Sequence, residues 1–329
     1  MAPRAAIRWV RLSLASLLLA CTVSHASAQG DAYPNRAIRI ITHSAAGGAP
    51  DVLLRVIAAR MSGILGQQIV VLNQPGAGGA IAARAGAAAD PDGYTLYMPA
   101  ASAFVTLAGL QPNLPLQLPR DFTPIGFVGE QPMLLTVDPK LGISTLTEFV
   151  ALAKKEPGKL SYAATGRGTM THLTGELLNA RGEVNVVGIP YTGGAAQALN
   201  DAMAGRLSMV IEGVAALAGA VEGGSLKPIA VGSPERLPNF PKIAAAAETL
   251  PGFNARGWVA LVAPNGTPAA AIAKISDALK TAVSDPEIQK KVAVTGNYLR
   301  PLSPQEVMAY INAEQQMWKP ILEKIAATK

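Results

Sequence analysis

Short apolar runs alternate with longer amphipathic stretches between residues 37 and 98. The short runs predict strands over 37–42, 69–72 and 94–98, and apolar positions three or four residues apart predict helices over 51–65 and 79–89. Strand, turn, helix and strand in that order are typical of a parallel α/β unit. The first part of the chain is therefore predicted to form a parallel sheet covered by helices.

The same alternation returns in the middle of the chain, after a proline-rich stretch over 111–124 that is predicted to be a loop and an extended run over 125–137. Ser144 is predicted to cap the helix that follows, because its hydroxyl can accept a hydrogen bond from a free backbone N–H. Helices are predicted over 145–155, 171–180 and 195–204, and strands over 160–164, 184–189, 207–211 and 226–231.

The final third of the chain changes to an extended run over 258–263 and two long helices, over 268–283 and 303–325. Ser303 opens the second helix with a Ser-Pro-Gln-Glu capping box. The apolar faces of both helices can pack on the first sheet, which would place the two ends of the chain in one domain and the middle in another. Two sequential domains fit the same periodicity equally well.

Three loops of mainly small or polar residues follow predicted strands. They lie within Arg39–Asp51, at Asn73–Gly79 and at Thr165–His172. Few side chains shield the backbone N–H groups of such loops, and the N-terminus of a helix carries a partial positive charge. Both features favour an anion. The sequence therefore predicts a cleft that binds a negatively charged ligand.

The N-terminus has the pattern of a secretory signal peptide. Three arginines precede an apolar run over 12–23, and Ala26-Ser27-Ala28 offers small residues for cleavage after Ala28. The run is shorter than the about 20 residues that cross a bilayer. We therefore expect residues 1–28 to direct export to the periplasm. A lipoprotein is the alternative, because Leu18-Leu19-Ala20-Cys21 loosely resembles the corresponding cleavage box.

Composition narrows the class of protein further. Cleavage would leave 301 residues, enough for about two domains. No cysteine follows Cys21, so stability has to come from the apolar core rather than from disulfides. The formal net charge of +6 falls to +3 without the three signal-peptide arginines, and the other basic residues are scattered. That distribution argues against nucleic acid as a partner.

The sequence offers little for catalysis, a metal or a cofactor. His43 and Ser44 are neighbours, so on a strand they point to opposite faces and do not form a nucleophile and base pair. Only His43 and His172 remain after the signal peptide, too few for a metal cluster without cysteine. Gly166-Arg167-Gly168 lacks the third glycine of a dinucleotide fingerprint, and no Gly-x-Ser-x-Gly elbow occurs. We expect no catalytic residues, no metal and no cofactor.

Several short motifs stand in a characteristic order and spacing. They are Tyr33-Pro34 with Ile38-Arg39-Ile40-Ile41, Ala45-Ala46-Gly47-Gly48 with Asp51, Asn73-Gln74-Pro75-Gly76-Ala77-Gly78-Gly79, Pro91-Asp92-Gly93-Tyr94-Thr95-Leu96, His172-Leu173 with Gly175-Glu176-Leu177, Pro190-Tyr191 with Gly193, Arg236-Leu237-Pro238, and Trp258 ahead of Ala263-Pro264-Asn265-Gly266-Thr267-Pro268. Each alone is weak, but together they are specific. From about Tyr33 to Lys324 the sequence resembles the Bug family, the periplasmic solute-binding receptors of tripartite tricarboxylate transporters.

The resemblance implies an α/β fold of the type II periplasmic binding protein class, with two α/β lobes joined by two extended crossover strands and a ligand cleft between them. Lobe 1 would comprise residues 29–130 and 255–329, and lobe 2 residues 131–254. The resemblance also implies a monomeric receptor that closes on a small carboxylated ligand and passes it to membrane transporter subunits. Backbone donors, hydroxyls and ordered water would hold the carboxylate without an arginine clamp.

Matched by position, the family motifs assign ligand binding to both lobes. The assigned residues are Ser44, Ala45, Ala46, Gly47, Gly48, Asp51, Gly76, Ala77, Gly78 and Gly79 in the first lobe, and Gly166, Gly168, Thr169, Thr171, His172, Tyr191, Gly193 and Glu212 in the second. The chain departs from the family pattern at His43, Ser44, Pro50, Met170, Thr192 and Glu212. A polar or aromatic acid could therefore replace a dicarboxylate as the ligand.

Some residues allow two interpretations at this stage. His43 could line the mouth of the cleft or be structural, and His172 could touch the ligand or fix the loop before its helix. Asp51 could contact a ligand amine through water or interact with the dipole of its own helix. Arg167 could bind a carboxylate or be solvated, and Tyr191 could be a packing residue or a cleft wall.

Two other functions fit the sequence less well. A sensory binding module that signals ligand occupancy to a membrane sensor would share every cleft residue, so only its binding partners would distinguish it. An exported α/β hydrolase would need a positioned nucleophile and base. Turnover of esters or amides that is abolished by Ser44→Ala would favour the hydrolase.

Overall fold

The structure, a computed structural model, describes residues 33–44, 46, 49–110, 113–114, 116–118, 120–191 and 194–327. Residues 36–329 form one compact unit, to which all the helices and strands of the described residues belong. The predicted signal peptide with Cys21 lies outside the described residues, as do Ala45, Gly47, Gly48, Thr192 and Gly193. Among the described helices, none has the length and hydropathy that crossing a membrane requires.

The N-terminal sheet is built from three parallel strands. They are β1 (Ile38–Thr42), β2 (Ile69–Asn73) and β3 (Thr95–Met98), with β1 in the middle. Helix α1 (Ala49–Leu65) connects β1 to β2, and α2 (Ala80–Ala87) lies between β2 and β3. The predicted strands and helices of this part are confirmed, with ends that shift by no more than two residues.

The chain after β3 contains helical structure that the sequence pattern did not predict. Ser102–Leu107 form a π-helical turn that continues into the short helix α3 (Ala108–Leu110). All residues of the turn from Ala103 to Leu107 are buried. Because this turn is buried on all sides, its sequence lacks the 3.6-residue spacing of apolar positions by which a surface helix is recognised.

The long strand β4 (Phe122–Val137) begins inside the stretch that was predicted to be a loop. Phe122 is fully buried, and Pro124 lies beside a shift in the register with its partner strand. Proline is tolerated at such an irregularity because it has no N–H to donate to the ladder. The prediction of a loop up to residue 124 is therefore wrong for the first residues of β4.

The middle of the chain adds a second sheet. Its first elements are α4 (Leu146–Lys155), β5 (Ser161–Ala164), α5 (Met170–Gly182) and β6 (Val187–Pro190). Strands β5 and β6 pair in parallel, from Ser161 opposite Val187 to Ala164 opposite Pro190. This part again has the predicted order of strands and helices.

The second sheet is completed by α6 (Gly194–Met203), β7 (Met209–Gly213), α7 (Val214–Glu222) and β8 (Lys227–Val231), followed by the short helix α8 (Ala246–Thr249). Strand β7 runs parallel to β5, whereas β7 and β8 both pair with β4 in the antiparallel sense. The second sheet is therefore mixed.

The last part of the chain returns to the first sheet. It comprises β9 (Arg256–Pro264), α9 (Ala269–Ser284), α10 (Pro286–Ala293), β10 (Tyr298–Leu299) and α11 (Pro304–Ala327). Strand β9 pairs antiparallel with β3 and β4, and β10 pairs with β4. The two predicted long helices are confirmed as α9 and α11, whereas α10 and β10 were not predicted.

Strand β4 belongs to both sheets. Its residues 122–132 pair with β9, and its residues 133–137 pair with β7 and β8. The strand order along the resulting path is β2-β1-β3-β9-β4-β7-β5-β6. The backbone N–H of Met133 still donates to the carbonyl of Ala255, just before β9, at 3.1 Å. Two extended segments therefore connect the sheets, as the sequence predicted.

Packing at this connection is aromatic. The rings of Phe127 and Tyr310 are 4.9 Å apart and those of Trp258 and Tyr310 are 5.8 Å apart, measured between centroids. These residues come from β4, β9 and α11. The apolar core therefore continues from the sheets into the C-terminal helix, which packs against both crossing strands.

The helix caps correct one prediction and confirm another. Thr145, not Ser144, caps α4: its Oγ1 accepts from the Glu148 N–H at 3.2 Å, and Glu148 accepts from the Thr145 N–H at 3.1 Å. The predicted capping box of α11 is present, with Glu306 accepting from the Ser303 N–H at 2.8 Å. Ser144 lies one residue too early to reach the N3 position.

Candidate ligand-binding site

The carboxyl ends of β1, β3 and β5 are followed by segments that border one cavity, which Glu212 near the carboxyl end of β7 also lines. Ligands of parallel α/β sheets bind outside the carboxyl ends of the strands, because the connecting loops converge there. The cavity has a volume of about 220 Å³. The space therefore suits a small organic molecule.

We call this space the cleft cavity. Residues of both sheets and of the two crossing strands line it. The first sheet and its helices contribute Pro50, Leu53, Ala100, Ala101 and Ser102, the second sheet Thr165, Thr169, Met170, Thr171 and Glu212, the crossing strands Gly129, Glu130, Gln131, Met133, Gly257, Trp258 and Val259, and the segment before β10 Asn297.

Three threonine hydroxyls meet at the N-terminus of α5. Thr171 Oγ1 lies 2.8 Å from Thr165 Oγ1 and 2.9 Å from Thr169 Oγ1. Thr169 is the N-cap residue, and its Oγ1 accepts from the His172 N–H at 3.5 Å. The Thr169 hydroxyl already donates to the carbonyl of Gly166 at 2.8 Å. The hydroxyls of Thr165 and Thr171 can reorient to donate to a ligand, and the helix N-terminus adds a partial positive charge. This corner of the cleft cavity is therefore suited to an anion.

The loop before α5 approaches the first sheet closely. Gly168 has a φ of 79°, which disfavours other residues, and a Cβ at this position would lie 2.2 Å from Cγ2 of Thr106 in the π-helical turn. Only glycine allows both the turn and the approach. The glycine-rich sequence of this loop thus brings the threonine cluster against the opposite lobe.

Two carboxyl groups line the cleft cavity in different surroundings. Glu130 accepts from Arg256 Nη1 at 2.6 Å and from Arg300 Nη1 at 2.7 Å, so its charge is balanced within the protein. Burial raises the pKa of Glu212 to about 7, against a smaller opposite effect of the hydrogen bond from the Gly213 N–H. No lysine or arginine is among the cavity residues that the structure describes.

One wall of the cleft cavity is the indole of Trp258. Its Nε1–H donates to Oε2 of Glu314 at 3.2 Å, and the same oxygen accepts from Trp318 Nε1 at 3.2 Å. Glu314 is buried, and burial raises the pKa of its carboxyl. These bonds fix the orientation of Trp258, which is therefore both a packing residue and a wall.

Comparison with known proteins identifies the family. The family model described as the tripartite tricarboxylate transporter family receptor matches residues 53–327. The chain belongs to this family. Protein BugT of Bordetella pertussis is 31% identical over 318 residues, which cover 96% of this chain and 97% of BugT. The resemblance to Bug proteins is thereby confirmed, and this receptor is a periplasmic solute-binding protein by family.

Solved structures share the fold of the receptor. An R. palustris protein with adipate is 28% identical with a TM-score of 0.79, covering 90% of this chain and 98% of its own. MatC from Rhodopseudomonas palustris with bound malate is 29% identical with a TM-score of 0.75, covering 88% of this chain and all of its own, 100%. The predicted fold class, two α/β lobes with a cleft between them, is confirmed.

Three of the predicted ligand-binding residues of the receptor, Thr169, Thr171 and Glu212, line the cleft cavity. Gly166 and Gly168 shape the loop beside it. Gly193 lies outside the described residues. Pro50 and Met170, two further positions at which the chain departs from the family pattern, also line the cavity. The second lobe thus supplies most of the predicted residues that the structure brings together.

The predicted first-lobe residues of the receptor do not line the cleft cavity where the structure describes them. Ser44 is buried, and its carbonyl accepts from Asn73 Nδ2 at 2.9 Å. Asp51 accepts from Asn73 Nδ2 at 2.7 Å and from Arg55 Nε at 2.9 Å. Ala46 is exposed, Gly76 precedes the turn Ala77–Gly79, which includes Gly78, and Ala45, Gly47 and Gly48 are not described. Their contact with a ligand stays a prediction.

Three other residues have protein partners outside the cleft cavity. His172 Nδ1 accepts from the Gly168 N–H at 3.0 Å, which fixes the loop before α5. The Arg167 guanidinium donates to the carbonyl of Ile325. Tyr191 is buried, and its hydroxyl donates to Asp201 Oδ2 at 2.9 Å. His172 and Arg167 line a separate cavity, to which residues of α5 and α11 also contribute.

Sequence reasoning missed cavity residues on the crossing strands and after β3. The polar ones are Ser102 after β3 and Glu130 and Gln131 on β4, and Asn297 before β10 was missed as well. Ser102 follows the end of β3, so the rule about carboxyl ends of parallel strands could have found it. Gln131 and Met133 lie where the extended run passes between the sheets, but only the pairing of β4 with both sheets identifies that point.

Metal binding finds no support in the described part of the receptor. No group of three or more His, Cys, Asp or Glu side chains there is placed to hold a metal ion. The two carboxylates of the cleft cavity differ in their partners, since Glu130 already accepts from two arginines. What the cavity offers chemically is hydroxyl and amide hydrogen bonding together with the carboxyl group of Glu212 and the arginine-paired carboxylate of Glu130.

Proposed function

We propose that this receptor captures a small organic carboxylate in the cleft cavity and delivers it to the membrane subunits of a tripartite tricarboxylate-type transporter. The observation that carries the proposal is the threonine cluster of Thr165, Thr169 and Thr171 at the N-terminus of α5. Carboxylate oxygens accept hydrogen bonds from hydroxyls and are stabilised by a helix N-terminus. The homologous structures with adipate and with malate support the same class of ligand.

The lobes are proposed to close around the ligand. Residues 29–130 with 255–329 would move against residues 131–254, with the two crossing strands as the hinge. Closure would exclude water and so strengthen each hydrogen bond inside the cavity. Backbone groups and ordered water of both lobes, including the predicted residues around Ser44 and Gly76, would then complete the binding of the ligand.

We assign the receptor to the periplasm as a monomer without catalytic activity, metal or cofactor. The membership of a family of binding receptors supports this assignment. Residues 1–28 would be removed on export. N-terminal sequencing of the exported protein is then expected to begin at Gln29, whereas a lipid-modified Cys21 at the N-terminus would contradict cleavage after Ala28.

Native mass spectrometry followed by a thermal-shift screen of carboxylic acids tests the binding step. A ligand at a hundredfold excess over its dissociation constant adds about 2.7 kcal/mol to the free energy of unfolding. At least one small acid is expected to raise the Tm clearly. The proposal fails if no acid does so while a neutral sugar or a metal ion does.

A matched pair of variants locates the site. Thr171→Val removes one hydroxyl of the cluster and should weaken binding about tenfold or more, since a hydrogen bond to a charged group contributes about 1.5–3 kcal/mol. Thr281→Val makes the same change on the exposed face of α9, where the hydroxyl donates to the carbonyl of Asp277. It should bind as the wild type does. Equal dissociation constants for both variants would place the ligand elsewhere.

The delivery step is tested by co-purification from membranes of the native bacterium in the presence of the ligand. A multi-span transporter subunit among the captured proteins supports transport. Capture of a sensor ectodomain instead would show that the receptor reports ligand occupancy without delivering the ligand.

A further inference from the structure

The imidazole of His172 is hydrogen-bonded to the backbone of the loop before α5. The Gly168 N–H donates to Nδ1 of His172 at 3.0 Å. A neutral imidazole has one acceptor nitrogen, whereas a protonated imidazole has none. This bond therefore exists only while Nδ1 carries no proton, which places the proton of the neutral ring on Nε2.

The loop that this bond holds carries the threonine cluster. Thr169 follows Gly168 directly, and its N–H and its hydroxyl both donate to the carbonyl of Gly166, at 3.2 and 2.8 Å. The Thr171 hydroxyl lies 2.9 Å from that of Thr169 and accepts from the Thr165 N–H at 3.2 Å. Since Thr169 and Thr171 line the cleft cavity, the placement of Gly168 affects the hydroxyls that face a ligand.

Gly168 has little room to find another acceptor in the same conformation. It is buried, and its closest approach to the first sheet is at Thr106. A buried N–H that loses its acceptor destabilises the conformation that buries it. A protonated His172 would also direct a second donor at this N–H. Protonation therefore favours other conformations of the loop, in which the threonine hydroxyls are displaced.

The proton can reach His172 without passing through the cleft cavity. The imidazole lines the separate cavity, whose other residues come from β6 and α11 among other segments. Strand β6 is exposed along its whole length, so this cavity is open to solvent. Among the described residues, the two cavities have no lining residue in common. His172 can therefore exchange its proton while a ligand occupies the cleft cavity.

The charged neighbours of His172 line the same separate cavity. They are Arg167 from the loop, Glu176 from α5 and Lys324 from α11, whereas the described lining residues from β6 are not ionisable. Glu176 accepts from Lys324 Nζ at 3.2 Å and from the Tyr162 hydroxyl of β5 at 3.3 Å. Burial lowers the pKa of His172, an effect that Glu176 opposes and Arg167 reinforces. The surroundings thus favour the neutral ring at neutral pH.

On this basis, and resting on the proposed function, we infer that His172 is a positioning residue: its neutral imidazole holds Gly168, and through it the threonine cluster, in the conformation that binds a carboxylate. Protonation of His172 therefore weakens ligand binding, although the imidazole does not line the cleft cavity. The receptor holds its ligand at neutral pH and releases it more readily in acid.

The direction of the effect distinguishes His172 from Glu212. If binding requires the neutral imidazole, affinity is highest above about pH 6.5, the ordinary pKa of histidine, and falls at lower pH, by at most about tenfold for each pH unit. Glu212, whose pKa is about 7, loses its proton as the pH rises, which adds a negative charge to the cleft cavity and weakens anion binding. A loss of affinity on the acid side therefore does not come from Glu212.

A test compares variants that differ in their acceptor at position 172. Isothermal titration with malate and with adipate, the acids of the two homologous structures, measures dissociation constants at about pH 8 and about pH 5. His172→Asn keeps an acceptor, Oδ1, that does not titrate in this range. It should bind as the wild type does at pH 8 and about threefold or more tightly than the wild type at pH 5. Protonation of the ligand affects both proteins equally and cancels in this ratio.

Two further variants complete the comparison. His172→Leu has no acceptor and should bind weakly at both pH values. His43→Asn makes the same replacement in the first lobe, where burial also lowers the pKa of the imidazole. It should keep the acid loss of the wild type. Thermal melts establish that each variant is folded.

A ligand-free measurement keeps the test decisive if His172→Leu does not fold. In the wild type, the NMR signal of the Gly168 amide should shift with pH at the same midpoint as the ring of His172. In His172→Asn it should stay constant over the same range. A Gly168 amide that does not follow the ring of His172 would overturn the inference.

The outcomes separate the two proposals. An equal acid loss in the wild type and in His172→Asn, or tight binding by His172→Leu at pH 8, would overturn the role of His172 and leave carboxylate binding intact. If neither acid binds at pH 8 and the wider screen of acids is also negative, carboxylate binding itself fails. The inference about binding then fails with it, whatever the Gly168 amide shows about the loop.

Discussion

Glu212 carries its carboxyl group at the wall of the cleft cavity, where burial raises the pKa to about 7 from its ordinary value of 4.5. A carboxyl with a raised pKa binds its proton more tightly in the folded chain than in the unfolded chain. Its contribution to stability is therefore fully present below about pH 4.5 and is lost as the pH rises through about 7.

Glu212→Gln should remove this pH dependence in the ligand-free protein. Below pH 4.5 both side chains are neutral, so the free energies of unfolding should be similar. Above pH 7 the variant should be more stable than the wild type by up to roughly 3 kcal/mol, since each unit of pKa shift corresponds to about 1.36 kcal/mol. Urea unfolding at about pH 5 and pH 8 measures the difference. If the difference between the free energies of unfolding of the two proteins grew toward acid pH, it would contradict the raised pKa of Glu212.

At the scale of single elements, local sequence decides where a helix starts only to within a residue. Ser144 and Thr145 are both good N-cap residues by type, and both stand before α4. The structure places Thr145 at the cap because Glu148 is then at the N3 position and closes the box. Ser144 Oγ instead accepts a hydrogen bond from Lys227 Nζ, a residue far away in the sequence.

Thr145→Ala and Ser144→Ala should therefore differ in their effect on stability. Loss of a threonine cap lowers the free energy of unfolding by about 1 kcal/mol, whereas surface changes elsewhere stay within about 0.5 kcal/mol. Thr145→Ala should show the larger loss in urea unfolding at neutral pH. A larger loss of stability in Ser144→Ala would show instead that Ser144 is the cap.

At the scale of the whole molecule, the two crossing strands are tied by an ion triad. Glu130 of β4 is bonded to Arg256 at the start of β9 and to Arg300 just after β10. Glu130 is buried, whereas the Arg300 side chain is 46% exposed. The triad therefore fixes the place where the chain passes from one lobe to the other.

Glu130→Gln should destabilise the protein by roughly 1–3 kcal/mol, because it leaves Arg256 poorly paired in a largely buried setting; the exposure of Arg300 reduces the effect below that of a fully buried pair. Glu248→Gln breaks an ion pair on the surface, where both carboxylate oxygens of Glu248 accept from Arg236. It should change the Tm little. Equal losses in the two variants would show that the triad contributes no more than a surface pair.

The strands and most helices were predictable because their patterns are local. Apolar runs of four to six residues with turn residues at both ends indicated β1, β5 and β7, and 3.6-residue spacing indicated α1, α9 and α11. The π-helical turn after β3 was not predicted because it is buried on all sides. The first residues of β4 were not predicted because Pro124 was taken as evidence of a loop.

The candidate site was predictable in part. Thr169, Thr171 and Glu212, which line the cleft cavity, had been assigned by matching the family motifs to this sequence by position. In the first lobe, the described small-residue loops lead to Asp51 and Ser44, whose polar atoms have partners within the protein. Residue type alone does not tell whether a polar group faces a ligand or a neighbouring side chain.

The sequence by itself determined the class of elements, the two α/β units and the family, and it predicted an anion as the ligand, because periodicity, glycine loops and motif spacing are properties of neighbouring residues. Only the tertiary structure decided which strand serves both sheets, which residues of the crossing strands line the cleft cavity, and which carboxyl has arginine partners. Glu130 and Arg256 are 126 positions apart. Whether two such distant residues meet depends on how the sheets pack, so charge compensation inside the cavity could not be read from local pattern.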